Sequence, residues 1–389
     1  MQRNNDYIIQ KTMVKNPFIL SPMIPDEYFC DRQEETRLMV KTLTNQGNVV
    51  LTSPRRVGKT GLINHCFSRP AIMSEYVTIS IDILHTTSFR EFIMELGSAA
   101  FNKVAKRNER LMKQFTAMLR SLSASFGYDP VNNTPTFDIK LGQIANPEFT
   151  LDEIFAFLEA SERPVIVAID EFQQIVYYPE KNIEALLRGR IQKLQNTWFV
   201  FAGSERRMMN EMFFSDLRPF YQSATPIELE PIDINIYTDF VCRQFSHANK
   251  SIDSNVIPLV YHFWDGITLY VHRIFHDAYA ETHAGETCTK MLIEEVTSSF
   301  ISQNEKRLRE LLSFITDQQK QLLYAIAHEG KATGITSGAF VRKHSLKSAS
   351  AVQSAAKRLL EIDMITKAGQ TYTVSDPLLR IWIRKRITS

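Results

Sequence analysis

Three short runs of apolar residues are each followed by small or charged residues. They lie at 48–52, 164–169 and 198–202. Consecutive apolar residues are typical of strands buried on both faces of a parallel sheet. Two further segments, 76–82 and 225–231, favour additional strands. Because helix-like stretches separate these runs, the sequence predicts an α/β core with a parallel sheet.

The segment after the second predicted strand contains a helix start followed by a less regular stretch. Ser88-Phe89-Arg90-Glu91 has the pattern of a capping box, in which Ser and Glu pair with backbone amides at the helix start. Residues 106–150 then suggest an insertion, with a basic helix-like piece at 107–122 and a Gly/Pro/Asn-rich stretch at 127–135. The basic residues of this insertion favour a solvated helix face, with contact to a partner as the alternative.

The second half of the chain changes character. From 232 to 310 the pattern is helical throughout, and Gly266 and Gly285 lie where helix C-terminal turns are expected. This pattern predicts a small helical lid domain.

The last segment has an order of its own. Helical patterns cover 317–328 and 337–343, a third helix runs from Ser348 to Leu360, and a β-hairpin surrounds 368–370. Three helices followed by a hairpin predict a winged helix. The expected domains are a core at 1–231 (with a lead-in at 1–47 and the insertion at 106–150), the lid at 232–310 and the winged helix at 311–389.

The first apolar run leads into a loop suited to phosphate. Strand, tight loop and helix is the context in which backbone N–H groups cradle an anion, and the helix N-terminus adds favourable charge. In that context Lys59 reaches the β- and γ-phosphates of a nucleoside triphosphate, and the Thr60 hydroxyl holds Mg²⁺. Ser53 stands where the usual loop has its first Gly. The expected binding residues are Ser53, Pro54, Arg55, Arg56, Val57, Gly58, Lys59, Thr60 and Gly61.

Two other strand ends carry candidate catalytic groups. Asp170 and Glu171 follow the run at 164–169, where Asp170 would hold the Mg²⁺ shell and Glu171 would polarise the attacking water. A solvated acidic turn is the alternative. Ser204 ends the run at 198–202 and is a candidate sensor of the γ-phosphate, with an ordinary Gly-Ser turn as the alternative.

These motifs in this order resemble the archaeal and bacterial AAA+/STAND-like P-loop ATPases, the "archaeal ATPase" family. The similar stretches span nearly the whole chain: Phe29 to Glu35, the P-R-R-x-G-K-T loop at Pro54 to Thr60, the I-D-E-F-Q Walker B motif at Ile169 to Gln173, Ala202 to Ser204, and Asp376 to Trp382. The resemblance implies a three-layer core with strand order 5-1-4-3-2, a helical lid, a winged helix and ATP as the ligand. The related initiator ATPases of replication origins share this layout and bind DNA.

The chain departs from the family in a stretch before the last core strand. The family tends to have L-Y-G-R there, with the Arg near the phosphates, whereas residues 219–224 contain no Arg. Arg218 lies just upstream and is a candidate substitute.

Charge is unevenly distributed along the chain. The net charge is +2, but residues 331–389 hold eleven Lys or Arg against three acidic residues, which gives that segment +8. A basic winged helix favours an anionic partner, and duplex DNA is the expected one. The expected contacts lie on or beside the third helix: Lys347, Ser350, Gln353, Ser354 and Lys357. The alternative is a winged helix that binds protein or braces the core.

The remaining sequence features narrow the class of protein. No apolar run approaches the roughly 18 residues of a membrane span, and the N-terminus lacks the apolar core of a signal peptide. Cys30, Cys66, Cys242 and Cys288 are far apart and lack metal-binding spacing, which fits a reducing cytoplasm.

Together these features predict an ATPase that uses ATP and Mg²⁺ as a conformational switch. The alternatives are a DNA-binding protein with ATP as a structural or regulatory ligand, and a scaffold that binds a protein partner or oligomerises with ATP.

Overall fold

The computed structural model describes most of the 389-residue chain. The described ranges are 16–104, 109–118, 125–129, 134–138 and 144–387. The chain forms two compact units: residues 19–233, and residues 234–387 together with 16–18. Among the described residues, every helix falls short of the length and hydrophobicity that a bilayer span requires.

In its described residues, the first unit contains seven strands and eight helices. The strands are β1 (Val49–Thr52), β2 (Val77–Asp82), β3 (Ser125–Asp129), β4 (Thr134–Asp138), β5 (Val165–Asp170), β6 (Thr197–Gly203) and β7 (Thr225–Glu228). The helices are α1 (Gln33–Thr44), α2 (Lys59–Phe67), α3 (Pro70–Met73), α4 (Phe89–Lys103), α5 (Glu109–Met118), α6 (Pro147–Glu159), α7 (Ile183–Ile191) and α8 (Arg206–Phe214). Short 3-10 helices cover Asp26–Tyr28 and Phe172–Tyr177.

Five of these strands form a parallel sheet in the order β2-β5-β6-β1-β7. Counting the core strands along the chain, this is the predicted order 5-1-4-3-2, and the α/β fold class is confirmed. Because β6 lies between β1 and β5, the carboxyl ends of these three strands lie next to one another. The predicted phosphate loop follows β1, and the acid pair lies at the end of β5.

The apolar runs are buried as their pattern predicts. Every residue of β1 and β6 is buried, and so are the first five residues of β5. Phe172, directly after the acid pair, is fully buried, with its ring centroid 4.6 Å from that of Phe201 and 5.3 Å from that of Phe220. Burying such a ring contributes about 1.5–3 kcal/mol. The aromatic cluster therefore anchors the backbone that carries the acid pair.

The insertion at 106–150 has regular structure where it is described. Phe115 of α5 is buried, with its ring centroid 5.4 Å from Phe101 and 4.8 Å from Phe157. The stretch at 127–135, expected to be irregular, overlaps an antiparallel hairpin in which Ser125 faces Asp138 across β3 and β4. The ends of the predicted helix at 107–122 lie outside the described residues.

The capping box at α4 is only half formed. Ser88 Oγ accepts the Glu91 N–H at 3.3 Å, as predicted. The Glu91 carboxylate accepts the Thr87 N–H at 2.5 Å and the Thr87 hydroxyl at 3.0 Å. The prediction that Glu91 returns to the Ser88 amide was therefore wrong, because the preceding Thr offers two donors to the same oxygen.

The described part of the second unit contains nine helices and five short strands. The helices are α9 (Ile234–His247), α10 (Val256–Phe263), α11 (Thr268–Glu281), α12 (Lys290–Gln303), α13 (Glu305–Ser313), α14 (Asp317–Glu329), α15 (Gly338–Lys343), α16 (Ala349–Glu361) and α17 (Pro377–Ile387). The strands are β8 (Ser251–Ile252), β9 (Thr287–Cys288), β10 (Ala332–Thr333), β11 (Ile365–Ala368) and β12 (Thr371–Val374).

The region expected to be helical throughout also contains the parallel pair β8 and β9, so that expectation was wrong. Two-residue strands leave no readable pattern in a sequence. Gly266 has φ +67° and donates its N–H to Tyr261 O at 2.8 Å, which is the predicted helix C-terminal turn. Gly285 (φ +86°) instead donates to Asn249 O at 2.6 Å, in the turn before β9.

The C-terminal helices and hairpin confirm a winged helix. Ser337 and Ser348 cap α15 and α16 by accepting the N–H groups of Phe340 and Ala351. β11 and β12 form the predicted hairpin, and β10, which the sequence did not predict, adds a third strand beside β12. The boundaries at 231 and 310 stay predictions.

Candidate nucleotide site

The loop after β1 accommodates Ser53 without strain. Ser53 is fully buried, its N–H donates to Gly203 O at 3.3 Å, and its hydroxyl donates to Pro54 O at 2.9 Å. Its φ is not positive. The backbone freedom of glycine is therefore not needed here, which explains how Ser replaces the first Gly of the loop.

The loop turns through two left-handed residues into a helix start. Arg56 has φ +69° and Gly58 has φ +107°. Gly58 is the N-cap of α2 and has no side chain with which to cap the helix. The first N–H groups of a helix have no partner within the helix and carry the positive end of its dipole. The end of the loop is thus suited to an anion.

Lys59 and Thr60 connect the loop to the acid pair. The buried Lys59 ammonium donates to Glu171 Oε1 at 2.9 Å and lies 3.1 Å from Asp170 Oδ1. The Thr60 hydroxyl donates to Asp170 Oδ2 at 2.8 Å. The structure therefore brings together four of the predicted site residues. They form two adjacent pairs, 59–60 and 170–171, which are more than 100 positions apart in the chain.

Glu171 adopts an unusual backbone conformation. Its φ of +55° lies in the left-handed region, where a non-glycine residue is strained by roughly 1–2 kcal/mol. Its N–H donates to Asp170 Oδ1 at 3.0 Å. The buried Phe172 keeps the backbone in place. Strain of this kind is typical of functional positions.

Three donors hold one oxygen of Glu171. Oε2 accepts the Ser204 hydroxyl at 2.6 Å, the Ser204 N–H at 3.3 Å and the Gln173 amide Nε2–H at 2.6 Å. Ser204 thus contacts the acid pair directly. Gln173 was not singled out by the sequence analysis, although the I-D-E-F-Q stretch contained it.

The environment keeps Glu171 ionised. Burial by itself raises the pKa of this carboxyl, but the charge of Lys59 and the hydrogen bonds from Ser204, Gln173 and Lys59 together lower it below its ordinary value. Glu171 is therefore a carboxylate at neutral pH, as a proton acceptor must be.

Gly203 allows β6 to approach this cluster. A Cβ built at this position would lie under 3.0 Å from Gln173 Oε1 and from Met209 Cγ and Sδ. A larger residue at this position would require these two side chains to shift. The carboxyl end of β6 therefore packs directly under Gln173, and Ser204 follows within reach of Glu171.

The residues present fit a magnesium ion. A hydroxyl and a carboxylate oxygen 2.8 Å apart, from Thr60 and Asp170, are hard oxygen ligands of the kind that Mg²⁺ prefers. These two side chains would hold the ion, and the bound ion would neutralise charge on the phosphates.

The candidate phosphate-contacting Arg218 has other partners. Its guanidinium donates to both carboxylate oxygens of Glu184 and, at 2.9 Å, to Glu211 Oε1. A role at the phosphates would require both contacts to break, so its substitution for the missing Arg of 219–224 stays a prediction.

The candidate DNA contacts lie on the outside of the winged helix. α16 buries one face through Val352, Ala355, Ala356 and Leu359. The five side chains expected to contact DNA are all exposed: Lys347, Ser350, Gln353, Ser354 and Lys357. Their exposure is compatible with contact to DNA, and their role stays a prediction.

Solved structures share this fold. The Walker-type ATPase paby2304 of Pyrococcus abyssi superposes with a TM-score of 0.64 at 19% identity, over 95% of this chain and 99% of that chain. The ORC2 protein of Aeropyrum pernix, in its ADPNP–ADP complexes, gives 0.59 at 12% identity over 96% and 98%. The ORC1 protein of Aeropyrum pernix, in complex with DNA, gives 0.51 at 12% identity over 95% and 96%.

Comparison of the sequence alone gives a consistent result. No curated protein matches the chain significantly. The model of a probable winged helix domain matches residues 306–385. The model of an ATPase domain predominantly from Archaea matches residues 29–274, well over half of the chain. The chain therefore belongs to this family of P-loop ATPases found predominantly in Archaea.

Proposed function

We propose that the protein binds and hydrolyses ATP with Mg²⁺ and uses the nucleotide as a conformational switch of the STAND type. The observation that carries this proposal is the direct contact of the phosphate loop with the acid pair, through Lys59 to Glu171 and Thr60 to Asp170. The structural neighbour ORC2, in complex with ADPNP and ADP, supports an adenine nucleotide as the ligand.

Each side chain has a role in this proposal. Lys59 binds the β- and γ-phosphates, and Thr60 and Asp170 hold the metal. Glu171 accepts a proton from water as the water oxygen attacks the γ-phosphorus. A P–O bond forms to that oxygen, the bond between the γ-phosphorus and the β–γ bridging oxygen breaks, and ADP and phosphate leave. Ser204 contacts Glu171 and reports the state of the site.

ATP binding changes the partner of Lys59. In the structure, the Lys59 ammonium donates to Glu171 Oε1 at 2.9 Å. The β- and γ-phosphate oxygens of a bound triphosphate accept charge-assisted hydrogen bonds from an ammonium, so we expect Lys59 to move towards them. Oε1 is then released to face the attacking water. The γ-phosphate therefore determines whether Glu171 Oε1 is free to accept a proton. We expect the conformation of the lid at 232–310 to differ between the ATP-bound and ADP-bound states.

Two variants test this function. Lys59→Ala should abolish measurable MgATP binding in a calorimetric titration, and Lys193→Ala, which changes an exposed lysine of the same unit, should bind like the wild type. Glu171→Gln should bind MgATP yet hydrolyse it at least about 100-fold more slowly. Tight binding by Lys59→Ala, or an unchanged rate for Glu171→Gln, would contradict the proposal.

A second function is favoured by the exposed basic surface of the winged helix. Lys347 and Lys357 are exposed, and the wing carries a third lysine, Lys367, over the Tyr372 ring at 5.2 Å. The ORC1 neighbour, whose structure contains DNA, has the same fold. We propose that this surface binds duplex DNA through phosphate contacts.

The DNA proposal predicts a salt-dependent affinity. Duplex binding should weaken steeply as salt rises, because bound lysines release counterions from the phosphates. Fluorescence anisotropy at several salt concentrations measures this slope. Binding that is absent at low salt would leave the winged helix as a protein-contact module, and chromatography with and without ATP would then show whether the partner is a second copy.

A further inference from the structure

Gln173 is a buried amide beside the proposed catalytic carboxylate. It lies two residues after Glu171 in the 3-10 helix Phe172–Tyr177 and is 1% exposed. Its Nε2–H donates to Glu171 Oε2 at 2.6 Å. Among the described residues, its Oε1 has no hydrogen-bond partner.

The carboxylate dictates the orientation of this amide. An ionised carboxylate only accepts hydrogen bonds, so the NH₂ group of Gln173 must face Glu171. Oε1 then points at Gly203, where even a Cβ would lie under 3.0 Å away. Leaving a buried amide oxygen unpaired is unfavourable, and an apolar side chain of similar size would avoid it. Packing alone therefore does not explain a glutamine at this position.

The two oxygens of Glu171 have different environments. Oε2 accepts three donors, two from Ser204 and one from Gln173. Oε1 accepts the ammonium of Lys59, which the incoming triphosphate is expected to withdraw. The carboxylate thus has one oxygen held permanently and one oxygen that becomes free when nucleotide binds.

We propose that Gln173 is a positioning residue which, together with Ser204, holds Oε2 of Glu171 so that only Oε1 accepts the proton of the attacking water. This inference rests on the proposed function of Glu171 as general base. The amide itself touches neither the water nor the phosphate. It orients the carboxylate and stabilises its charged form, and the proton passes from water to Oε1.

Replacement of the amide tests this role. Gln173→Leu removes the donor with little change in volume, and Gln173→Glu places a second carboxylate beside Oε2. Gln174→Leu is the matched control, because the neighbouring Gln174 donates to Thr86 O at 2.9 Å and not to the acid pair. The assay is steady-state hydrolysis of MgATP by the full chain from about pH 5 to about pH 9.

The expected result separates kcat from KM. Gln173→Leu should keep the KM for MgATP, lower kcat by about ten-fold, and move the acid limb of the kcat profile to higher pH, since a donor to the charged form is lost. Gln173→Glu should move the acid limb of the kcat profile to still higher pH. Gln174→Leu should behave like the wild type. If Gln173→Leu keeps the wild-type limb, whether or not kcat falls, while Glu171→Gln is inactive, the positioning role is wrong and the proposed function survives.

A second measurement does not depend on turnover. Because its pKa is lowered, Glu171 stabilises the fold above its unfolded-state pKa, and this stabilisation is lost as the pH falls through the folded pKa. The Tm of the nucleotide-free Gln173→Leu variant should therefore fall less between about pH 7 and about pH 4 than the Tm of the wild type. In the Glu171→Gln background the same substitution should leave the pH dependence unchanged. Identical pH dependence of Gln173→Leu and wild type would overturn the inference, even if the protein hydrolyses no ATP.

Discussion

Lys59 is the cation that neutralises the two carboxylates at the end of β5. Its ammonium lies 2.9 Å from Glu171 Oε1 and 3.1 Å from Asp170 Oδ1, and the Lys59, Asp170 and Glu171 side chains are 9%, 14% and 14% exposed. Lys59→Ala leaves two adjacent, largely buried carboxylates without this cation. Removing one partner of a buried ion pair costs about 3–5 kcal/mol. Because the carboxylates retain some contact with water, we expect about 3 kcal/mol.

This loss should appear in thermal unfolding of the nucleotide-free protein. For a unit the size of residues 19–233, it corresponds to a Tm lower by about 6–12 °C. In the wild type, Lys59 helps to lower the pKa of Glu171, so the stabilisation by this carboxylate is lost as pH falls. Without Lys59, burial acts to raise that pKa, and protonation then relieves the destabilisation. The Tm difference should narrow from about pH 8 to about pH 5.

Two controls accompany this measurement. Glu171→Gln in the Lys59→Ala background removes one of the two uncompensated charges and should recover part of the Tm at the higher pH. Lys193→Ala should leave Tm within about 1–2 °C of the wild type, because exposed lysines away from special contacts contribute little. If Lys59→Ala has the Tm of the wild type, or if the Tm difference between them is the same at every pH, Lys59 does not neutralise the acid pair.

Three other predictions concern single positions. Gly203→Ala should lower the free energy of unfolding of the first unit by about 1–3 kcal/mol in denaturant titrations, because the new methyl group overlaps Gln173 and Met209. Wild-type stability of this variant would show that the two side chains are not packed tightly against Gly203. Ser53→Gly restores the usual loop residue. It should lower the free energy of unfolding by about 0.5–1 kcal/mol without tightening MgATP binding, because Ser53 needs no positive φ. Tighter MgATP binding would show that the serine weakens the nucleotide site. Lys357→Ala should reduce the salt slope of duplex binding by about 1, whereas the exposed Lys290→Ala should not; equal slopes would remove α16 from the DNA surface.

The sequence predicted those parts of the fold that have strong local signals. The buried strands β1, β5 and β6 appeared as apolar runs, and the resemblance to a family implied their order. The helices of the winged helix appeared as helical patterns, and the structure shows that Ser337 and Ser348 begin two of them by accepting amides three residues ahead. Such signals depend on neighbouring residues, so they are legible without a structure.

Other features leave no recognisable pattern in the sequence. The pair β8 and β9 and the strand β10 are two residues long, too short for an apolar pattern. Glu91 paired with Thr87 rather than Ser88, a choice between adjacent donors that composition does not reveal. Similarly, the sequence suggested Lys59, Asp170 and Glu171 as site residues, but it did not reveal which atoms they share.

Gln173 shows the same limit within the site. A glutamine two residues after the proposed catalytic carboxylate has no pattern that separates it from a surface residue. Its position became meaningful only when the structure showed it 1% exposed, with Nε2 2.6 Å from Glu171 Oε2. The left-handed backbone of Glu171, which aims this carboxylate, was equally invisible in the sequence.

In the proposed site, one triphosphate is held by the loop at 53–60 and faces the acid pair at 170–171. A crystal structure with Mg²⁺ and a non-hydrolysable ATP analogue measures it most directly, through the distance from Lys59 Nζ to Glu171 Oε1. We expect this distance to grow from 2.9 Å to beyond hydrogen-bonding range, about 3.5 Å or more, with Nζ on a phosphate oxygen. A nucleotide bound elsewhere, with the Lys59–Glu171 contact intact, would contradict the account.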